Sequence, residues 1–145
     1  MSRLEEAKQF RETFGQEILP NISRFGFIKT PLWKMQINLI KEEASEFLVA
    51  ADEVYADPEK DPLRSELLKE LSDLVFVCYQ FAATYNLDLD EALRRVYESN
   101  MSKLDEQGHV IYREDGKVLK GPNYKKPDLN GLFPSSNTLY DTHGK

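Results

Sequence analysis

A single cysteine, Cys78, and two histidines, His109 and His143, are all that this chain offers for disulfide or imidazole chemistry. One cysteine cannot form an internal disulfide, and this one lies inside an apolar run, so a reducing cytoplasm is the expected setting. That run, residues 74–79, is the longest apolar stretch and is far too short to span a bilayer. Residues 1–6 are charged and helix-like rather than apolar, which also predicts a cytoplasmic protein without a secretory segment. A basic excess is missing too: 19 Lys and Arg stand against 25 Asp and Glu, a net charge of -6. Such a balance argues against a nucleic-acid backbone as the main partner. At 145 residues there is room for about one domain. An acidic protein can still hold an acidic substrate when metal ions sit between them.

What is present is mostly helical. Apolar residues recur at helical spacing through the first hundred residues, while glycine and proline collect after residue 107. Four helices are predicted. The first covers residues 3–17 and is stopped by Pro20. The second begins after Thr30-Pro31, a cap followed by a proline at the first helical position, and runs to about Tyr55. The third extends from about Leu63 to Tyr85, and the fourth from Asp88 or Asp90 to about Leu104. Asp115-Gly116, between two β-prone runs, predicts a β-hairpin over residues 110–119. Residues 134–145 read as an irregular polar tail. The expected organisation is a helical catalytic domain, residues 1–107, followed by a hairpin and tail, residues 108–145.

The second and third helices share a template at an offset of 27 residues. Ile40 maps onto Leu67, Ala44 onto Leu71, Phe47 onto Leu74, Leu48 onto Val75, Ala51 onto Cys78 and Val54 onto Phe81. The same offset carries Glu43 onto Glu70 and Glu46 onto Asp73. Each helix therefore bears an acidic pair roughly 80° and 140° from the centre of its apolar stripe. If the stripes pack antiparallel, four carboxylates face one cleft, where they repel one another unless compensated. Oxygen-only ligands suit magnesium or manganese. The alternative left open by the pattern is that these pairs are solvated helix faces. A redox di-iron centre would want Glu-x-x-His on two helices, and both histidines lie in the tail.

Glu43-x-x-Glu46, a gap of 23 residues and Glu70-x-x-Asp73 resemble the E-x-x-E…E-x-x-D signature of the all-α NTP pyrophosphohydrolases. That superfamily includes the MazG proteins, the phosphoribosyl-ATP pyrophosphohydrolases and the dimeric dUTPases. The doublet Glu42-Glu43 is similar to the MazG form, and Trp33 with Gln36 resembles the Trp…Gln segment that opens it. Asn100-x-x-Lys103 resembles the element that closes it. The resemblance covers residues 31–105 and implies an all-α, four-helix MazG-like bundle completed by oligomerisation. Small phage and cyanobacterial MazG-like proteins are similar in carrying a comparable tail.

The resemblance further implies that Glu43, Glu46, Glu70 and Asp73 bind magnesium, with manganese as a substitute. Asn100 and Lys103 would contact the triphosphate, and the reaction would release a nucleoside monophosphate and pyrophosphate. Glu46 is the expected proton acceptor. Trp33 and Gln36 are candidates for holding base or sugar, although Trp33 also falls on the apolar stripe. Phe25, Phe27 and Lys29 could wall a base pocket, and a purine deoxynucleotide such as dGTP or dATP is the expected substrate. In the tail, Lys120 and Tyr124 belong to a locally basic flap that could meet a triphosphate. The apolar character of Phe76, Val77 and Tyr79 outside the third helix's stripe predicts a homodimer or homotetramer. The remaining alternatives are phosphoribosyl-ATP as substrate, or a non-enzymatic helical interaction module.

Overall fold

The computed structural model describes residues 1–19 and 30–132. Its elements are α1 (Arg3–Thr13), α2 (Pro31–Ala56), α3 (Asp61–Thr84) and α4 (Leu89–Met101). The all-α class expected from the sequence is therefore observed, with no named strand among the described residues. Packing divides the described chain after Leu87 into two units. The boundary expected after residue 107 remains a sequence-based reading of domain organisation. Phe25, Phe27, Lys29 and the tail beyond residue 132 lie outside the described residues.

In the first unit, α3 packs against both α2 and α1. The α1 helix opens with a capping box: Ser2 N–H donates to Glu5 Oε2 at 2.6 Å, and Glu5 N–H donates to Ser2 Oγ at 3.2 Å. It ends at Thr13, four residues before the expected Glu17. Gly15, at φ 63°, takes the left-handed turn, and Gln16 N–H closes back on Arg11 O at 2.8 Å. This Schellman closure, rather than Pro20, stops the helix. The capping expected for α2 is present, with Trp33 N–H donating to Thr30 Oγ1 at 3.3 Å and Pro31 at the first helical position.

Residues 57–60 join α2 to α3, so the two long helices form an antiparallel αα-hairpin. Successive turns toward the start of α2 meet successive turns toward the end of α3. Trp33 packs on Phe81 and Tyr85 with ring centroids 5.0 and 5.3 Å apart, and Gln36 Nε2 donates to Thr84 Oγ1 at 2.5 Å. On the other side, Phe10 of α1 meets Phe76 of α3 edge-on at 5.1 Å. The buried set mixes Leu4, Ala7, Tyr79, Ala82 and Ala83 with Arg11, Gln36, Gln80 and Thr84. The guanidinium of Arg11 donates to Glu17 O at 2.8 Å and to Gln80 Oε1 at 3.3 Å, while burial lowers its pKa.

In the second unit, Asp88 caps α4 by accepting from Glu91 N–H at 3.1 Å. The helix stops at Met101, short of the expected Leu104. Residues 125–130 run beside it, tied by Ser99 Oγ donating to Lys125 O at 2.7 Å and by Arg95 Nη1 donating to Asp128 O at 2.9 Å. The β-hairpin expected over residues 110–119 is not formed. A turn with Gly116 at φ 84° is followed by one isolated antiparallel bridge, Tyr112 to Val118. The turn expected at Asp115-Gly116 is present, but a lone two-stranded ribbon whose Tyr112 and Val118 stay exposed has no packing partner to extend it. Gly121 is required by space: a Cβ there would collide with the carbonyls of Lys103 and Leu104.

Candidate active site

The antiparallel register of α2 and α3 sets the site. Glu43 and Glu46 lie one turn apart on α2, and Glu70 projects from α3 opposite them. One carboxylate oxygen from each of the three lies within 4.8 Å of the others. Glu70 is 6% exposed, Glu43 is half-buried and Glu46 faces solvent. Among the described residues no hydrogen-bond donor reaches the buried Glu70 Oε2. An unpaired carboxylate oxygen in that position costs free energy unless a cation or a proton satisfies it.

The electrostatics carry the same strain. Burial, then the like charges of Glu46, Asp73 and Glu70, push the Glu43 carboxyl above its usual range. Glu70 is held below its usual range, chiefly by its hydrogen bond with Lys69 and next by the Glu66 carboxyl, which can donate only in its protonated form. Glu66 is correspondingly pushed up, because its protonated form is the one that can bond to Glu70. Lys69 Nζ donates to Glu70 Oε1 at 2.8 Å and lies 3.0 Å from Asp73 Oδ2. Asp73 is thus engaged by an ammonium and stands outside the tight group of three, although its charge is felt at Glu43.

This donor set fits a hard divalent cation. Ligand oxygens around octahedral magnesium lie about 2.9 to 4.2 Å apart, given metal–oxygen distances near 2.0–2.1 Å. Separations of up to 4.8 Å need only small side-chain rotations to reach that geometry. The buried Glu70 Oε2 without a donor is the feature a cation would satisfy.

The other sequence candidates are placed as follows. Trp33 is half-buried in the ring cluster with Phe81 and Tyr85. Gln36 is buried beside Thr84. Thr84 Oγ1 spends its one proton on Gln80 O at 2.8 Å, so it must accept from Gln36, and Gln36 Oε1 is buried with no donor among the described residues. Asn100, Lys103, Lys120 and Tyr124 belong to the second unit. There Asn100 is exposed, Lys103 is half-buried, and Lys120 Nζ stands 4.7 Å from the centre of the Tyr124 ring, a cation–π contact. Two residues escaped the sequence reading, Lys69 and Glu66. Lys69 precedes Glu70 by one position and Asp73 by four, so an i,i+4 ion pair was legible there.

Residues 7–100 match the family described as phosphoribosyl-ATP pyrophosphohydrolase, a span that includes Glu43, Glu46, Glu70 and Asp73 and leaves the tail outside. No curated protein matches the chain. The match extends over nearly two thirds of the sequence. With its all-α fold and converging carboxylates, the chain belongs to the phosphoribosyl-ATP pyrophosphohydrolase family, a pyrophosphohydrolase family of the MazG-like all-α superfamily.

Proposed function

We propose that this protein is a magnesium-dependent pyrophosphohydrolase of MazG type, which converts a nucleoside triphosphate to its monophosphate and pyrophosphate. The observation that carries the reading is the approach of the Glu43, Glu46 and Glu70 carboxylates to within 4.8 Å, beside a buried Glu70 Oε2 that no donor reaches among the described residues. Glu43 and Glu70 would hold the ion together with Glu46, and Asp73 lies one turn further along α3. A divalent ion bound there supplies charge neutralisation on phosphate oxygens and a more acidic water. Glu46 is proposed to accept that water's proton on its carboxylate, a role that its being the most exposed of the three supports. Glu70, being buried, would orient the site rather than shuttle protons.

Asn100 and Lys103 are proposed to contact the triphosphate, with Lys120 and Tyr124 in support from the tail. Gln36 is proposed to bind base or sugar through Oε1, which has no donor among the described residues. Trp33 would act beside it by packing. The substrate is proposed to be a purine nucleotide, with dGTP or dATP as the first candidates. The family match favours a second reading, phosphoribosyl-ATP, which carries the same triphosphate. A homodimer or homotetramer is supported by the apolar row Leu68, Leu71, Val75 and Phe76, exposed on α3 by 64, 40, 46 and 43%. No described helix is long and apolar enough to cross a membrane.

The test is turnover with magnesium or manganese on a panel of common NTPs, dNTPs and phosphoribosyl-ATP, with products separated by ion exchange. Monophosphate plus pyrophosphate supports the reaction, and the substrate consumed decides between the two readings. Diphosphate plus orthophosphate contradicts it.

A further inference from the structure

The like-charged cluster is not bare. Lys69 reaches into it from α3 and touches two of its four members, Glu70 at 2.8 Å and Asp73 at 3.0 Å. Resting on the reading of these carboxylates as a metal site, we propose that the Lys69 ammonium is the resident second cation. It fills the place between Glu70 and Asp73 that another divalent ion would take. The protein then binds one divalent ion before nucleotide arrives.

The allocation of oxygens supports this. Glu70 Oε1 is occupied by Lys69, whereas Glu70 Oε2 is buried with no donor among the described residues. The free valence is on the carboxylate that lies within 4.8 Å of Glu43 and Glu46. One ion shared by those three residues satisfies it. A second ion shared by Glu70 and Asp73 would have to compete with the ammonium already seated on Glu70 Oε1 and Asp73 Oδ2.

Exposed lysine pairs are ordinarily weak. This one differs because the partner Glu70 side chain is only 8% exposed, so the pair is poorly screened on one side. The ammonium is also tethered to the helix that carries both partners, which keeps its local concentration high against a free ion. Four carboxylates carry four negative charges. One ammonium and one divalent ion offset three of them, leaving the nucleotide's own cation to complete the neutralisation.

The test counts ions without measuring activity. Manganese binding to the full-length protein, free of nucleotide, is followed by electron paramagnetic resonance and titration calorimetry. The wild type and Lys69→Arg should bind one ion per chain. Lys69→Met and Lys69→Gln should bind two, with the first held roughly tenfold more tightly, as expected when a neighbouring unit positive charge is removed. Circular dichroism checks that the variants remain helical, and Lys69, with a side chain 57% exposed, tolerates either replacement. Two ions in the wild type, or one in both uncharged variants, would overturn the proposal while leaving the metal site intact. No ion in any variant would instead overturn the metal site itself.

Discussion

Glu43 of α2 and Glu70 of α3 occupy equivalent positions on helices built to one apolar template, and the antiparallel hairpin brings their carboxylates within 4.8 Å. Burial and neighbouring negative charge push Glu43 above its usual range, while Lys69 holds Glu70 below its own. The pair is therefore asymmetric before any ligand binds.

That asymmetry makes metal-free protein a strained state. At pH 7, Glu43→Gln removes one of the repelling charges, and the metal-free variant should melt above the metal-free wild type. Magnesium should reverse the order. At a concentration of 100 times Kd it stabilises the wild type by about 2.7 kcal/mol, a rise in melting temperature of roughly 5–10 °C. The variant should show little response. Thermal melts with and without chelator check both parts, and equal magnesium shifts in the two proteins would contradict the assignment of Glu43.

The contact between Gln36 and Thr84 gives a prediction about stability. Thr84→Val keeps the shape but removes the acceptor for Gln36 Nε2, leaving a buried amide with no partner for either group among the described residues. The expected cost is about 1–3 kcal/mol, read as a fall in melting temperature of roughly 3–10 °C. The double variant Gln36→Leu, Thr84→Val should recover most of it. Urea unfolding of the four proteins closes the cycle, and a silent Thr84→Val would mean that the bond contributes nothing.

Glu91 sets a pH dependence in the second unit. Its bonds to Arg94 and then Arg95 hold its carboxyl at about 2, below the usual 4.5. A depressed carboxyl contributes stability that is fully present above the unfolded value and is lost as pH falls from about 4.5 toward 2. Glu91→Gln should accordingly weaken amide protection along α4 at pH 7. The difference from wild type should shrink below pH 5 and close near pH 2. Hydrogen exchange at α4 across that range measures it, and a gap that widened in acid would contradict the sign.

Much of this arrangement was legible because one periodic pattern occurs twice. The 27-residue offset identified both long helices and the facing of Glu43 with Glu70 without any long-range information. The start of α2 was legible from Thr30-Pro31. The end of α1 was not, because Phe14 and Ile18 continue the apolar period and hide the left-handed turn at Gly15. The Asp115-Gly116 turn was legible, but whether its flanks become strands depends on a packing partner that local sequence does not contain. Lys69 went unread for a related reason. Its spacing to Asp73 is visible, yet only the burial of Glu70 turns a surface lysine into part of the site.

The most direct test of the account is product analysis of the nucleotide panel by wild type and Glu70→Gln side by side. The account predicts monophosphate and pyrophosphate from a nucleoside triphosphate or from phosphoribosyl-ATP, strictly dependent on divalent metal. It also predicts a loss of roughly a hundredfold or more in Glu70→Gln, at least the penalty typical of disturbing a metal site. Release of orthophosphate, or undiminished turnover by a folded Glu70→Gln, would contradict it.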